Sequence, residues 1–249
     1  MNRGAIIVTG ASRGIGAAIA LSAAAEGFSV AVNFANERAS AETVVEKIAA
    51  AGGRAFPVRA DVSREDDILR MFAAVDQELG PITALVNNAA VTGGFSLVEN
   101  VTAQAIQEVC AVNIAGTLLC AREAVRRMST KQGGSGGAIV NLSSLIARVG
   151  GAGEWIHYAV SKGAVNTFTI GLAREVAAEG IRVNAVAPGL VDTEIHSRNG
   201  DPARLDRMAP TVPMKRAGTV EEVAAGVMWL LSPQASYVTG TILEIGGGR

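Results

Sequence analysis

Seven short apolar runs alternate with helical stretches along this chain, and that alternation leaves few architectures open. The runs are 5–8 (AIIV), 29–34 (SVAVNF), 55–60 (AFPVRA), 84–87 (ALVN), 138–143 (AIVNLS), 182–187 (RVNAVA) and 241–245 (TILEI). Between them, near 14–26, 38–51, 63–79, 102–128, 155–178 and 219–231, apolar residues recur every three or four positions. Short runs that are apolar throughout suit strands covered on both faces. Joined through helices, such strands must run parallel with crossover connections. The pattern therefore predicts an α/β fold, a Rossmann-type doubly wound sheet of seven mostly parallel strands with helices on both faces. No stretch has the composition of a linker, so a single domain is expected over 1–249. The glycines of GGSGG (133–137) lack a following Lys-Ser/Thr and are expected to form a loop before the fifth strand.

A net charge of -1 with 18% charged residues gives no electrostatic attraction for nucleic acid or anionic membrane, so neither partner is expected. The N-terminal apolar run is too short for a signal-peptide core, and no segment reaches about 18 uninterrupted apolar residues. A cytoplasmic protein is expected. Cys110 and Cys120 lie within one helical stretch, which prevents a bridge, and they lack metal-ligand spacing. Both are expected to be core thiols in a reducing compartment.

Chemistry enters at the first turn. IIVTGASRGIG places Gly10, Gly14 and Gly16 between the first strand and first helix, where bare backbone N–H groups can approach a pyrophosphate at the positive end of the helix. The spacing is G-x-x-x-G-x-G and not the commoner G-x-G-x-x-G. An acid near the end of the second strand usually holds the ribose diol of NAD. Here Asn33 stands in that place and Glu37 is expected to start the next helix, which leaves no anion to repel a 2′-phosphate. Arg13, with Arg38 as a second candidate, could neutralise one, so NADP is expected over NAD.

Two helices carry polar intruders. Ile106, Cys110, Asn113, Thr117, Ala121, Ala124 and Met128 share one face of the stretch 102–128, and the buried amide of Asn113 needs partners. Tyr158 and Lys162 stack one turn apart in 155–178, a stretch with two apolar faces. One face fits the sheet and the other fits another subunit.

The glycine loop, NNA after the fourth strand, Asn113, NLSS and Y-x-x-x-K, in this order across nearly the whole chain, resemble the short-chain dehydrogenase/reductase family. The resemblance implies that Tyr158 is the general acid/base and that Lys162 stabilises its phenolate, lowers its pKa and grips the nicotinamide ribose. It implies that Ser144 hydrogen-bonds the substrate oxygen, with Ser143 as the fallback, and that Asn113 kinks its helix and positions a proton-relaying water. It further implies cofactor contacts from Gly10, Ser12, Arg13, Gly14, Ile15, Gly16, Asn33, Asp61, Val62, Asn88, Ala89, Pro188, Gly189 and Thr193, and a homotetramer. Ser144 lies 14 residues before Tyr158, one more than the family spacing suggests. Ala90 replaces the glycine of the usual NNAG, which raises a question about backbone geometry there.

The mixed, proline-bearing stretch 192–218 is expected to be a substrate lid, with Trp155, Ile156 and His196 as candidate pocket lining and no metal. A small-molecule carbonyl/alcohol pair is the expected substrate. A redox sensor without catalysis would not need the Ser-Tyr-Lys set, and a methyltransferase would want an acid after the second strand. Replacement of Tyr158 and competition between NADPH and S-adenosylmethionine separate these readings.

Overall fold

The computed structural model describes residues 3–193 and 203–249. The strands are β1 (Ala5–Val8), β2 (Ser29–Phe34), β3 (Arg54–Arg59), β4 (Ile82–Asn87), β5 (Gly137–Leu142), β6 (Ile181–Pro188) and β7 (Ile242–Ile245). They form one sheet in the order β3-β2-β1-β4-β5-β6-β7, and every neighbouring pair is parallel. The doubly wound expectation holds, with no antiparallel strand among the described residues.

The alternation of side chains along each strand divides the core into two. Ile6, Val8, Val30, Val32, Val86 and Val140 pack toward α1 (Gly14–Ala25), α2 (Arg38–Ala50) and, near the C-terminus, the helix Val220–Leu231. Ile7, Leu85, Ile139 and Val183 point the other way, toward α3 (Glu65–Glu78), α5 (Thr117–Met128) and α7 (Ile156–Val176). Period 2 in a strand buried on both faces produces this division. The helix Val220–Leu231 starts at a capping box, in which Thr219 accepts from the Glu222 N–H and the Glu222 carboxylate accepts from the Thr219 N–H.

The stretch 102–128 is not one regular helix. It comprises α4 (Ala103–Val109), a π-helical turn (Cys110–Gly116) and α5. The extra residue in the wide turn rotates α5 relative to α4, so the apolar face read from the sequence is split. Asn113, Thr117, Ala121, Ala124 and Met128 are buried, whereas Ile106 and Cys110 are exposed. Cys110 is therefore not a core thiol. Cys120 is one, and burial pushes its thiol pKa up to about 12. Among the described residues the remaining α-helices are α6 (Ile146–Val149), α8 (Arg204–Met208) and α9, the Val220–Leu231 helix already placed against α1.

Candidate active site

Strand order reverses between β1 and β4, and a crevice opens at the carboxyl ends of the strands at such a point. Here it is a cleft of about 780 Å³ that begins at the glycine loop and reaches Tyr158 and Lys162.

The loop holds its shape through side chains whose roles differ from those the motifs suggest. Asn33 is 1% exposed. Its Oδ1 accepts from the Gly10 N–H, and its Nδ2 donates to the Val58 and Ala60 carbonyls. Its amide braces the glycine loop with its polar atoms engaged, and Asn33 lines the cleft. Asn88 donates to the Thr9 and Gly10 carbonyls, and Thr9 Oγ1 accepts from the Asn88 and Ala89 N–H groups. Thr9 is absent from the residues expected at the site, although a hydroxyl directly before the first glycine was its signal. A Cβ on Gly16 would clash with the Gly10 oxygen, so helix and loop approach too closely for any side chain. Gly14, at φ 53, faces open space, where an added Cβ would meet nothing nearer than 3.9 Å. Bare backbone at a helix start beside open volume fits a pyrophosphate.

At the adenosine end, the structure corrects two expectations. Glu37 does place an anion there, because its carboxylate pairs with Arg13 at 2.5 Å and both line the cleft. The start of α2 directs this side chain back toward the loop, which proximity in sequence alone did not show. Arg38 is paired with Glu42 one turn along α2 and does not line the cleft. Ser12, Ile15, Asp61, Val62, Ala89, Pro188, Gly189 and Thr193 all line it. Asp61 itself is turned into its own loop, accepting from Ser63 N–H and Oγ. Lys215 is the non-glycine with positive φ among the described residues, so Ala90 fits its turn without strain.

At the nicotinamide end, the two serines separate. Ser143 is 4% exposed and its Oγ donates to the Lys162 carbonyl. Ser144 is partly exposed, and its Oγ accepts from the Ile146 N–H, which leaves its own proton for another acceptor. Asn113 is 0% exposed. Its Oδ1 accepts from Val91 N–H at 2.9 Å, and its Nδ2 donates to the Val91 carbonyl and to Ser161 Oγ. The intruding amide thus ties the loop after β4 to α7, one residue from Lys162. Its main-chain carbonyl accepts from Thr117 Oγ1.

Lys162 is 3% exposed, and its Nζ donates to the Leu142 carbonyl at 2.6 Å and lies 5.6 Å from the Tyr158 ring centroid. Burial lowers its pKa to about 8. Burial also pushes the Tyr158 phenol above its ordinary value. Desolvation of the phenolate is the cause of that rise. Trp155 lines the cleft, Ile156 does not, and His196 lies outside the described residues. Arg204 and Glu154 also line it and were not anticipated.

A parallel doubly wound sheet with a glycine cradle at its switch point and a tyrosine–lysine pair in the same cleft defines a dinucleotide-binding type of α/β protein. A family model described as enoyl-(acyl carrier protein) reductase matches residues 10–249. The chain is 51% identical over 243 residues to the uncharacterized oxidoreductase YgfF of Escherichia coli K12, covering 98% of each. It is 38% identical to a 3-oxoacyl-[acyl-carrier-protein] reductase FabG of Staphylococcus epidermidis, covering 100% of this chain and 99% of the relative. A short-chain dehydrogenase from Burkholderia cenocepacia in complex with NADP superposes with a TM-score of 0.91 at 32% identity, covering 99% of this chain and 98% of that one. The chain belongs to the short-chain dehydrogenase/reductase family and is an oxidoreductase of that family.

Proposed function

We propose that this protein interconverts a carbonyl compound and its alcohol using NADP, with Tyr158 as the general acid/base. The observation that carries the reading is that Tyr158, Lys162 and Ser144, whose hydroxyl proton is left for another acceptor, line the same cleft as the glycine cradle. The residues present fit the cofactor. Gly10, Ser12, Gly14, Ile15 and Gly16 offer backbone to the pyrophosphate, Asp61, Val62, Asn88 and Ala89 the adenosine side, and Pro188, Gly189 and Thr193 the nicotinamide side. When bound, the nicotinamide supplies or accepts the hydride. Ser144 donates a hydrogen bond to the substrate oxygen and orients it, and Tyr158 Oη passes the proton to that oxygen or takes it back. Lys162 holds the ribose, and its charge favours the phenolate at the moment of proton transfer. Asn113 fixes the loop and helix that carry these groups. The solved structures of a Burkholderia cenocepacia relative with NADP and of a metagenomic blue fluorescent protein with NADPH support the choice of phosphorylated cofactor.

The test is NADPH oxidation against a panel of ketones and aldehydes that includes a 3-oxoacyl thioester, repeated with NADH. Arg13→Ala is expected to weaken NADPH binding by about tenfold, the scale of one charge-assisted contact, and to leave NADH nearly unchanged. Glu37→Gln is expected to act in the opposite direction, because it frees Arg13 and removes the competing anion. Equal weakening of both coenzymes by Arg13→Ala would remove the NADP assignment.

The reading extends to a homotetramer. Val160 and Ile170 on α7, with Ile106 on α4 and Leu118 on α5, present apolar side chains outward. A second copy would cover them. Sedimentation equilibrium giving a monomer at micromolar concentration would remove this part.

A further inference from the structure

A buried corner beside the cleft joins α8 to the loop that precedes Tyr158. Arg204 is 6% exposed, and its guanidinium grips Glu154 with both prongs, Nη1 to Oε1 at 2.5 Å and Nη2 to Oε2 at 2.6 Å. It also lies 4.6 Å from the Trp155 ring centroid and 5.9 Å from that of Phe95. Those two rings stack on each other at 4.4 Å. Trp155 then meets Tyr158 edge-on, with centroids 6.4 Å apart at 72°. The Ser96 N–H donates to the Glu154 carbonyl, which closes the corner through the backbone.

A buried guanidinium is tolerated when its fork is matched by a carboxylate, and a planar fork stacked on an indole fixes the plane of both. Among the described residues, Arg204 Nε and Trp155 Nε1 are buried without a hydrogen-bond partner. Tyr158 lies in the first turn of α7, where Trp155 supplies an edge-on contact to its ring.

We propose that Arg204 is a positioning residue for the reaction at Tyr158: clasped by Glu154 and stacked on Trp155, it fixes the attitude of the tyrosine ring in the cleft. This rests on the reading of Tyr158 as the acid/base. The specific chain of contacts runs from Glu154 to Arg204 to Trp155 to Tyr158.

Arg204→Met and Glu154→Gln are the two variants, each made in a Trp229→Phe background so that Trp155 is the remaining tryptophan. With ethyl acetoacetate as the probe, both are expected to lower kcat by about tenfold, the scale of a misplacement well under an ångström, with NADPH affinity held within about twofold by fluorescence titration. Acrylamide quenching of Trp155 is expected to rise about twofold in both, as the indole loosens. A raised KM at unchanged kcat would make Arg204 a substrate contact and overturn the proposal, as would loss of NADPH affinity in step with kcat. Should the unsubstituted protein reduce no carbonyl probe, the reading of Tyr158 fails separately. The quenching comparison still judges the clasp, and unchanged quenching in both variants rejects it.

Discussion

Tyr158→Phe is expected to lower kcat/KM for carbonyl reduction by about 10³-fold while leaving NADPH binding intact, because a positioned general acid/base is worth about 10²–10⁴. Phenylalanine keeps the ring that Trp155 touches edge-on and that lies 5.6 Å from the Lys162 Nζ, so the cleft should keep its shape. What is lost is the one hydroxyl able to exchange a proton with the substrate oxygen from the position beside Lys162. Ser144 cannot replace it, since an aliphatic alcohol is far less acidic than a phenol. Steady-state kinetics with NADPH, paired with a fluorescence titration of coenzyme, check both halves. Retention of more than about a tenth of the activity would move the acid/base role elsewhere.

The sheet was legible because a fully buried strand writes its burial into uninterrupted apolar sequence. All seven runs sit within two residues of the strands observed. The cleft was legible for a related reason, since a glycine loop between a strand and a helix has few other uses. Side-chain direction was harder to read. Asn33 occupies the position expected, yet its amide turns inward because Gly10, Val58 and Ala60 present one unpaired donor and two acceptors there. Glu37 turns back onto Arg13, and Arg38 turns away onto Glu42, a choice set by the first turn of α2. The exposed Cys110 results from the π-helical turn, whose wider spacing no period-3.6 reading contains. Arg204 lies in a stretch without periodicity, so only the fold could bring it to Glu154. The errors cluster where a residue's role depends on a partner distant in sequence, or on a single backbone irregularity.

Lys162→Met is expected to remove activity by at least about 10²-fold and, in the same protein, to change the pH dependence of stability in a defined direction. Burial holds the folded-state pKa of Lys162 near 8, against 10.5 for the free side chain. Below pH 8 the lysine is charged in both states, and the folded state carries the full cost of burying the cation. From pH 8 upward the folded protein releases this proton before the unfolded chain does, so the unfolded state binds more protons and stability rises with pH until about 10.5. The gap of two to three pKa units corresponds to roughly 3 kcal/mol across that window. The Leu142 carbonyl loses its 2.6 Å donor in the methionine variant, which adds an offset independent of pH. Tyr158 acts in the opposite sense above pH 10, where the unfolded phenol ionises first, but it is present in both proteins and cancels in their difference. Urea unfolding at pH 7, 8, 9 and 10, at one fixed protein concentration, gives that difference directly. The unsubstituted protein should gain on Lys162→Met as pH rises from 8. A flat difference would show that Lys162 titrates as a solvated amine, and would take away the buried charge on which the poise of Tyr158 depends.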